Sequence, residues 1–180
     1  MTALDLFDTA IERVLEHEGY SRFTDDPADS GGATKWGISL RFLQGLGLEG
    51  DVNADDVVDE ADVKGLTRQQ AVDFYRAHWW DRYKYDRIND SLAAVKVFDL
   101  AVNMGPSEAH RCLQRALRAN HWHVTEDGIL GTKTRTAANA FTGGLAPALR
   151  SEAAGFYRVL VAKHPQFKRF LNGWTRRAYD

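Results

Sequence analysis

The chain has 180 residues, 44% hydrophobic and 27% charged, and carries a formal net charge of −2. These are ordinary globular values for a length that supports one substantial core. They exclude a disordered polyelectrolyte and a disulfide framework, since Cys112 is the single cysteine, and no run approaches the roughly 18 apolar residues of a membrane span. Charge is uneven along the chain. Residues 1–105 hold 11 Lys/Arg against 20 Asp/Glu, whereas residues 106–180 hold 12 against 5. The basic half suits an anionic partner and suits equally well a solvated basic helical surface. The N-terminus carries Asp5 and Asp8 and no basic n-region, so no secretory leader is expected and the chain is expected to be made in a reducing cytoplasm.

Leu4–Glu18 reads as an amphipathic helix. Phe7, Ile11, Val14 and Glu18 fall on one stripe at i, i+4, i+7 and i+11 spacing, and Gly19 is a natural stop. Glu16, two residues earlier, points about 200° away around the helix. An apolar wall disfavours the charged form of a carboxyl group, and a general acid must carry its proton. Glu18 is therefore the acidic residue to watch, although a Glu at a helix end also commonly snorkels to water or caps.

A polar, turn-rich segment follows, with Asp26, Pro27, Asp29, Gly31 and Gly32, then Thr34, Trp36 and Gly37-Ile38. This is a helix-to-hairpin transition. The hairpin would form a cleft wall and carry Asp26 or Asp29, and Thr34, opposite Glu18.

Leu40–Leu46 reads as a short helix. Residues 49–64 are acidic and read as an exposed excursion without EF-hand spacing. Thr67-Arg68-Gln69-Gln70 is a capping-box pattern opening a helix through about Tyr83. Asn89-Asp90-Ser91 caps Leu92–Met104, an almost wholly apolar helix expected at the centre of the core. Asp99 and Asn103 interrupt it on one face. They either line the floor of a cleft or bond to loop backbone, because buried polar groups need partners. Pro106 breaks the chain and Ser107 caps a helix to about Ala119, in which Cys112 reads as a buried small hydrophobe. Asp127-Gly128 turns into a helix with Thr132 as N-cap. Ala146–His164 reads as a long helix, and the aromatic tail Phe167–Arg177 is expected to pack on the body.

Glu18-Gly19-Tyr20, followed by Asp26-Pro27, Asp29, Gly31-Gly32, Thr34 and Gly37-Ile38, resembles the motif series of the muramidases of glycoside hydrolase family 108. Those enzymes occur as phage endolysins and in bacterial proteins once labelled secretion activators. The family's Glu-Gly-Gly-Tyr hallmark has one glycine more. Alignment on Tyr20 would put His17 at the catalytic position, and His cannot supply a carboxylic acid, so the assignment goes to Glu18. Ala101–Pro106 also resembles the corresponding stretch of the family. Asp127-Gly128-Ile129-Leu130-Gly131-Thr132-Lys133-Thr134 resembles the Asp-Gly-x-x-Gly-x-x-Thr turn of peptidoglycan-binding modules.

The resemblance implies a mainly α, lysozyme-like α+β fold: a helical lobe and a small β-hairpin lobe with the active-site cleft between them. It implies one domain over 1–180, with a catalytic part at 1–105 and a basic, peptidoglycan-binding-like helical part at 106–180. The implied reaction is hydrolysis of the β-1,4 bond between N-acetylmuramic acid and N-acetylglucosamine, with peptidoglycan glycan strands as partner. Glu18 is the proton donor, Asp29 the first choice for the second carboxylate and Asp26 the second, and Thr34 orients water. If the carboxyl groups stand about 6.5–9.5 Å apart the outcome is inversion; about 5–5.5 Å gives retention. Asp29 could instead serve its own loop through local backbone bonds. Tyr20 and Trp36 offer ring faces to sugars, with a core role for Trp36 nearly as natural. Asp26, Asp99 and Asn103 complete the expected substrate contacts.

No cofactor or metal is required: the six histidines form no His-Glu-x-x-His site, and His121-x-His123 lacks neighbouring thiolates. Nucleic acid has only charge in its favour. A monomer without stable membrane insertion is expected, with basic C-terminal contact to an anionic envelope and release from the host cytoplasm through a holin-type pore. Two alternatives stay open. One is a lytic transglycosylase, which uses one Glu and yields an anhydro-sugar. The other is a non-catalytic wall-binding or secretion-accessory protein.

Overall fold

A computed structural model describes residues 3–25 and 32–180. Its helices are α1 Ala3–His17, α2 Leu40–Gly45, α3 Glu60–Gly65, α4 Arg68–Tyr75, α5 Ser91–Met104, α6 Pro106–Ala119, α7 Thr132–Ala140, α8 Leu145–Lys163 and α9 Leu171–Tyr179. Strands β1 Thr34–Lys35 and β2 Ile38–Ser39 form an antiparallel pair. The fold is mainly α with a small hairpin, as the sequence predicts. The chain divides into two compact units, one of residues 11–76 and one of residues up to 10 together with 77–180.

The smaller unit is built around the second half of α1. Ile11, Val14 and Leu15 are buried there together with Ile38, Leu43, Val63, Leu66 and Tyr75. Ile11 and Val14 belong to the stripe that the sequence predicts, and burial of such side chains stabilises by about 1.5–3 kcal/mol each. The Thr67–Gln70 capping box forms reciprocally at the start of α4. The acidic excursion is a more ordered element than its composition suggests. Its tip is exposed, but Asp62 is fully buried. Asp62 accepts backbone N–H bonds from Val52, Asn53 and Asp59 at 2.7, 3.2 and 2.8 Å. Burial pushes its carboxyl up, yet these N–H groups outweigh it and leave it lowered. Three donors on one carboxylate favour the charged form more than dehydration disfavours it.

The larger unit packs α6 and α8 against the apolar α5, with α9 on α8. Phe7, Trp80, Tyr85 and Phe98 form its ring cluster, with Trp80–Phe98 centroids 5.3 Å apart and perpendicular. After α4 the helix widens into a π-helical turn over Arg76–Asp81 before Tyr83. That i→i+5 spacing shifts the helical register ahead of Trp80, which is buried. The helical run breaks before Pro106 as the sequence predicts, but the N-cap of α6 is Gly105 rather than Ser107. Gly105, at φ +85°, ends α5 and precedes Pro106, the first residue of α6. Proline has no N–H to lose at that position. The N-cap before α7 is Gly131 rather than Thr132. Cys112 is buried, and burial pushes its thiol up to about 12, as suits a small hydrophobe. The tail packs as expected, with Trp174 stacked on Tyr157 at 5.3 Å. Among the described residues no helix is long and apolar enough to cross a membrane.

Candidate active site

Helix α1 ends in a Schellman motif. The Tyr20 N–H donates to the Leu15 carbonyl at 2.9 Å and the Gly19 N–H to the Glu16 carbonyl at 3.2 Å. Gly19 takes the left-handed conformation at φ +79°, which only glycine adopts without cost. Glu18 is the residue on which the helix turns off, half-buried, while Tyr20 is 46% exposed.

The hairpin is as short as a hairpin can be. Lys35 pairs with Ile38, leaving Trp36 and Gly37 as a two-residue loop. Both have positive φ, +56° and +75°, which is the primed turn that matches strand twist. A tryptophan there is strained. It is held by two hydrogen bonds: its indole Nε1 donates to the Leu66 carbonyl at 3.3 Å, and the Tyr75 hydroxyl donates to the Trp36 carbonyl at 3.1 Å. Gly37 is doubly required. A Cβ there would strike the Tyr75 hydroxyl and stand 2.6 Å from Cγ of Glu18. The turn therefore presses its bare Cα against the Glu18 side chain, with the Tyr75 hydroxyl alongside.

Thr34 sits at the base of this hairpin. It exchanges backbone hydrogen bonds with Thr24 at 2.8 and 2.9 Å. Its hydroxyl donates to the Gly32 carbonyl at 3.1 Å, which leaves the oxygen lone pairs as acceptors. Asp26 and Asp29 lie outside the described residues. Glu18, Gly37, Trp36 and Tyr75 are thus brought together, with Thr34 on the same hairpin. Tyr75 was not singled out from the sequence. Its signal was general: a tyrosine facing a buried side needs a hydroxyl partner.

Asp99 corrects the sequence expectation. It is fully buried on α5, out of reach of a sugar. Its carboxylate takes Arg177 Nε at 3.0 Å and Lys96 Nζ at 3.2 Å, and Lys96 also donates to the Arg177 carbonyl at 2.7 Å. This cluster ties α9 to α5. A buried carboxylate selects cations over loop backbone because ionic hydrogen bonds best offset its lost hydration. Asn103 is half-buried, and its Oδ1 accepts from the Tyr157 hydroxyl at 2.6 Å.

The Asp127–Thr134 turn is knotted to α6. Gln114 donates to Asp127 Oδ1 at 2.8 Å and accepts from the Gly128 N–H at 2.9 Å. The His110 ring is fixed by Nδ1 at 3.0 Å from the Gly128 carbonyl and Nε2 at 2.9 Å from the Tyr85 hydroxyl. Because a carbonyl only accepts, Nδ1 carries the proton and Nε2 accepts from tyrosine. Among the described residues no group of three His, Cys, Asp or Glu could hold a metal.

Comparison with known proteins places the two halves of the chain in described families. The profile described as "Glycosyl hydrolase 108" matches residues 11–105, and that described as "Predicted Peptidoglycan domain" matches residues 108–179. The chain belongs to the glycosyl hydrolase 108 family. A solved structure, that of Brucella abortus SagA, is 28% identical with a TM-score of 0.73, covering 96% of this chain and 88% of its own. No curated protein matches. Together the two regions support a peptidoglycan-degrading glycoside hydrolase. The profiles change over near the end of α5, whereas the compact units divide at residues 10/11 and 76/77.

Proposed function

We propose that the protein is a muramidase that hydrolyses the β-1,4 bond between N-acetylmuramic acid and N-acetylglucosamine. The observation that carries this reading is the seating of Glu18 against Gly37 and Tyr75 at the end of α1. Cleavage requires a proton on the leaving oxygen and stabilisation of an oxocarbenium-like transition state. Glu18 donates that proton. The backbone of the hairpin turn restricts its rotamers, so the acid is positioned before substrate arrives. Asp29, or failing it Asp26, supplies the second carboxylate. The Thr34 oxygen, its own proton committed to Gly32, accepts a hydrogen bond from the attacking water. The exposed Tyr20 ring offers a face for a sugar. The basic half of the chain contacts the anionic envelope, and the enzyme reaches the wall as an endolysin released from the host cytoplasm.

The test compares wild type with Glu18→Gln on purified peptidoglycan, at matched circular dichroism, with mass analysis of the products. Release of reducing muramic ends by wild type and loss of about a hundredfold or more in the variant are expected. Anhydro-muramic products would replace hydrolysis by a lytic transglycosylase reaction. Undiminished release by Glu18→Gln would remove Glu18 from the mechanism.

A further inference from the structure

A cavity of about 250 Å³ opens in the larger unit, away from Glu18 in sequence and built from the 82–84 segment, the Gly128–Leu130 turn and α7. Three cations line it: Arg82, Lys84 and Arg135. Among the described lining residues there is no carboxylate. Arg135 spans two of its walls, donating from Nη1 to the Leu130 carbonyl at 2.5 Å and, more weakly, to the Tyr83 carbonyl at 3.5 Å. Arg82 lays its guanidinium 5.7 Å over the Tyr83 ring. Lys84 is held in the left-handed conformation at φ +53°, in a turn closed by Lys84 N–H to Asp81 and Arg87 N–H to Lys84. That conformation is costly for a long side chain, and such strain concentrates at binding sites. The His110 ring in the wall has both nitrogens engaged, as described above, and adds no charge. Ile129, 65% exposed, stands at the rim.

Three cations beside an apolar rim suit a small oxyanion attached to an organic chain. Carboxylate and phosphate share that chemistry. Most of the lining belongs to the segment that matches the "Predicted Peptidoglycan domain" description. We infer that this cavity binds a free carboxylate of the short peptides carried on peptidoglycan, and so holds the polymer. The inference rests on the peptidoglycan reading given above.

The experiment titrates the full chain, followed by NMR, with three probes: a synthetic stem tetrapeptide with free carboxyl groups, the same peptide with its carboxyl groups amidated, and inorganic phosphate. The free-acid peptide should give saturable shifts centred on the amides of Gly128, Ile129 and Leu130. Binding should weaken about tenfold or more on amidation and in Arg82→Met/Lys84→Met, which alters two exposed side chains; charge-assisted hydrogen bonds have that worth. A charge-keeping Arg82→Lys/Lys84→Arg variant should retain binding. Equal binding of acid and amide, no loss in the double methionine variant, no binding of the peptide at all, or preference for phosphate over the peptide would each overturn the inference. Peptidoglycan hydrolysis by the same preparation, lost in Glu18→Gln, shows whether the underlying reading stands when the peptide titration fails.

Discussion

The Glu18 side chain rests on Gly37, so the tip of the hairpin and the end of α1 are in van der Waals contact at a position where no Cβ fits. This fixes the direction of a carboxyl group by backbone rather than by a movable side chain. Gly37→Ala meets two penalties at once, a positive φ and a collision with Glu18 and Tyr75. The expected loss is about 2 kcal/mol or more of stability by chemical denaturation. Hydrolysis of peptidoglycan should fall by about a hundredfold under conditions where the variant stays folded, because a displaced acid misses its oxygen. Wild-type rates in folded Gly37→Ala would show that the contact does not position Glu18.

Tyr75→Phe removes the donor to the Trp36 carbonyl while keeping the ring. The strained turn then relies on the indole bond to Leu66. A loss of about 1–2 kcal/mol is expected, since a part-buried carbonyl loses its partner. The turnover number should drop more than substrate affinity, because the turn orients the acid. Unchanged stability together with unchanged turnover would remove Tyr75 from this role.

Asp99→Asn leaves Lys96 and Arg177 buried without their shared carboxylate. Removing one partner of a buried ionic cluster costs about 3–5 kcal/mol, far more than an exposed pair is worth. The transition midpoint in urea should fall accordingly, and amide exchange in α9 should rise first. A change under about 1 kcal/mol would mean that the cluster is not what docks α9.

His110 gives the fold an acid limit. Burial, aided by the nearby Arg135 charge, holds its pKa below the ordinary value of about 6.5, only partly opposed by the Gly128 carbonyl. The unfolded chain therefore takes up a proton before the native one does. Its contribution to stability is fully present above about pH 6.5 and is lost as pH falls from there through the lower native value. Urea midpoints measured between about pH 7.5 and about pH 5.5 should decline, and the decline should be shallower in His110→Gln. Equal slopes would assign the acid sensitivity to other groups.

The sequence by itself determined the elements whose signals are local. The Phe7–Ile11–Val14 stripe, the Gly19 stop, the Thr67–Gln70 box and the Trp36-Gly37 region read correctly because periodicity, caps and turns depend on neighbours within a few residues. The order of the motifs likewise pointed to the glycosyl hydrolase 108 family. Only the tertiary structure decided where polar side chains end. Asp99 read either as a cleft residue or as a partner of loop backbone, because an aspartate on an apolar helix must have a partner, but one of its partners, Arg177, lies 78 positions away. Asp62 looked solvated within an acidic run, yet backbone N–H groups from Val52 and Asn53 draw it inside. Tyr75 gained its place beside Glu18 through contacts 38 and 39 positions distant, with Gly37 and Trp36. A side chain's partner across the fold depends on how remote segments pack, and no spacing within a single helix or turn records that.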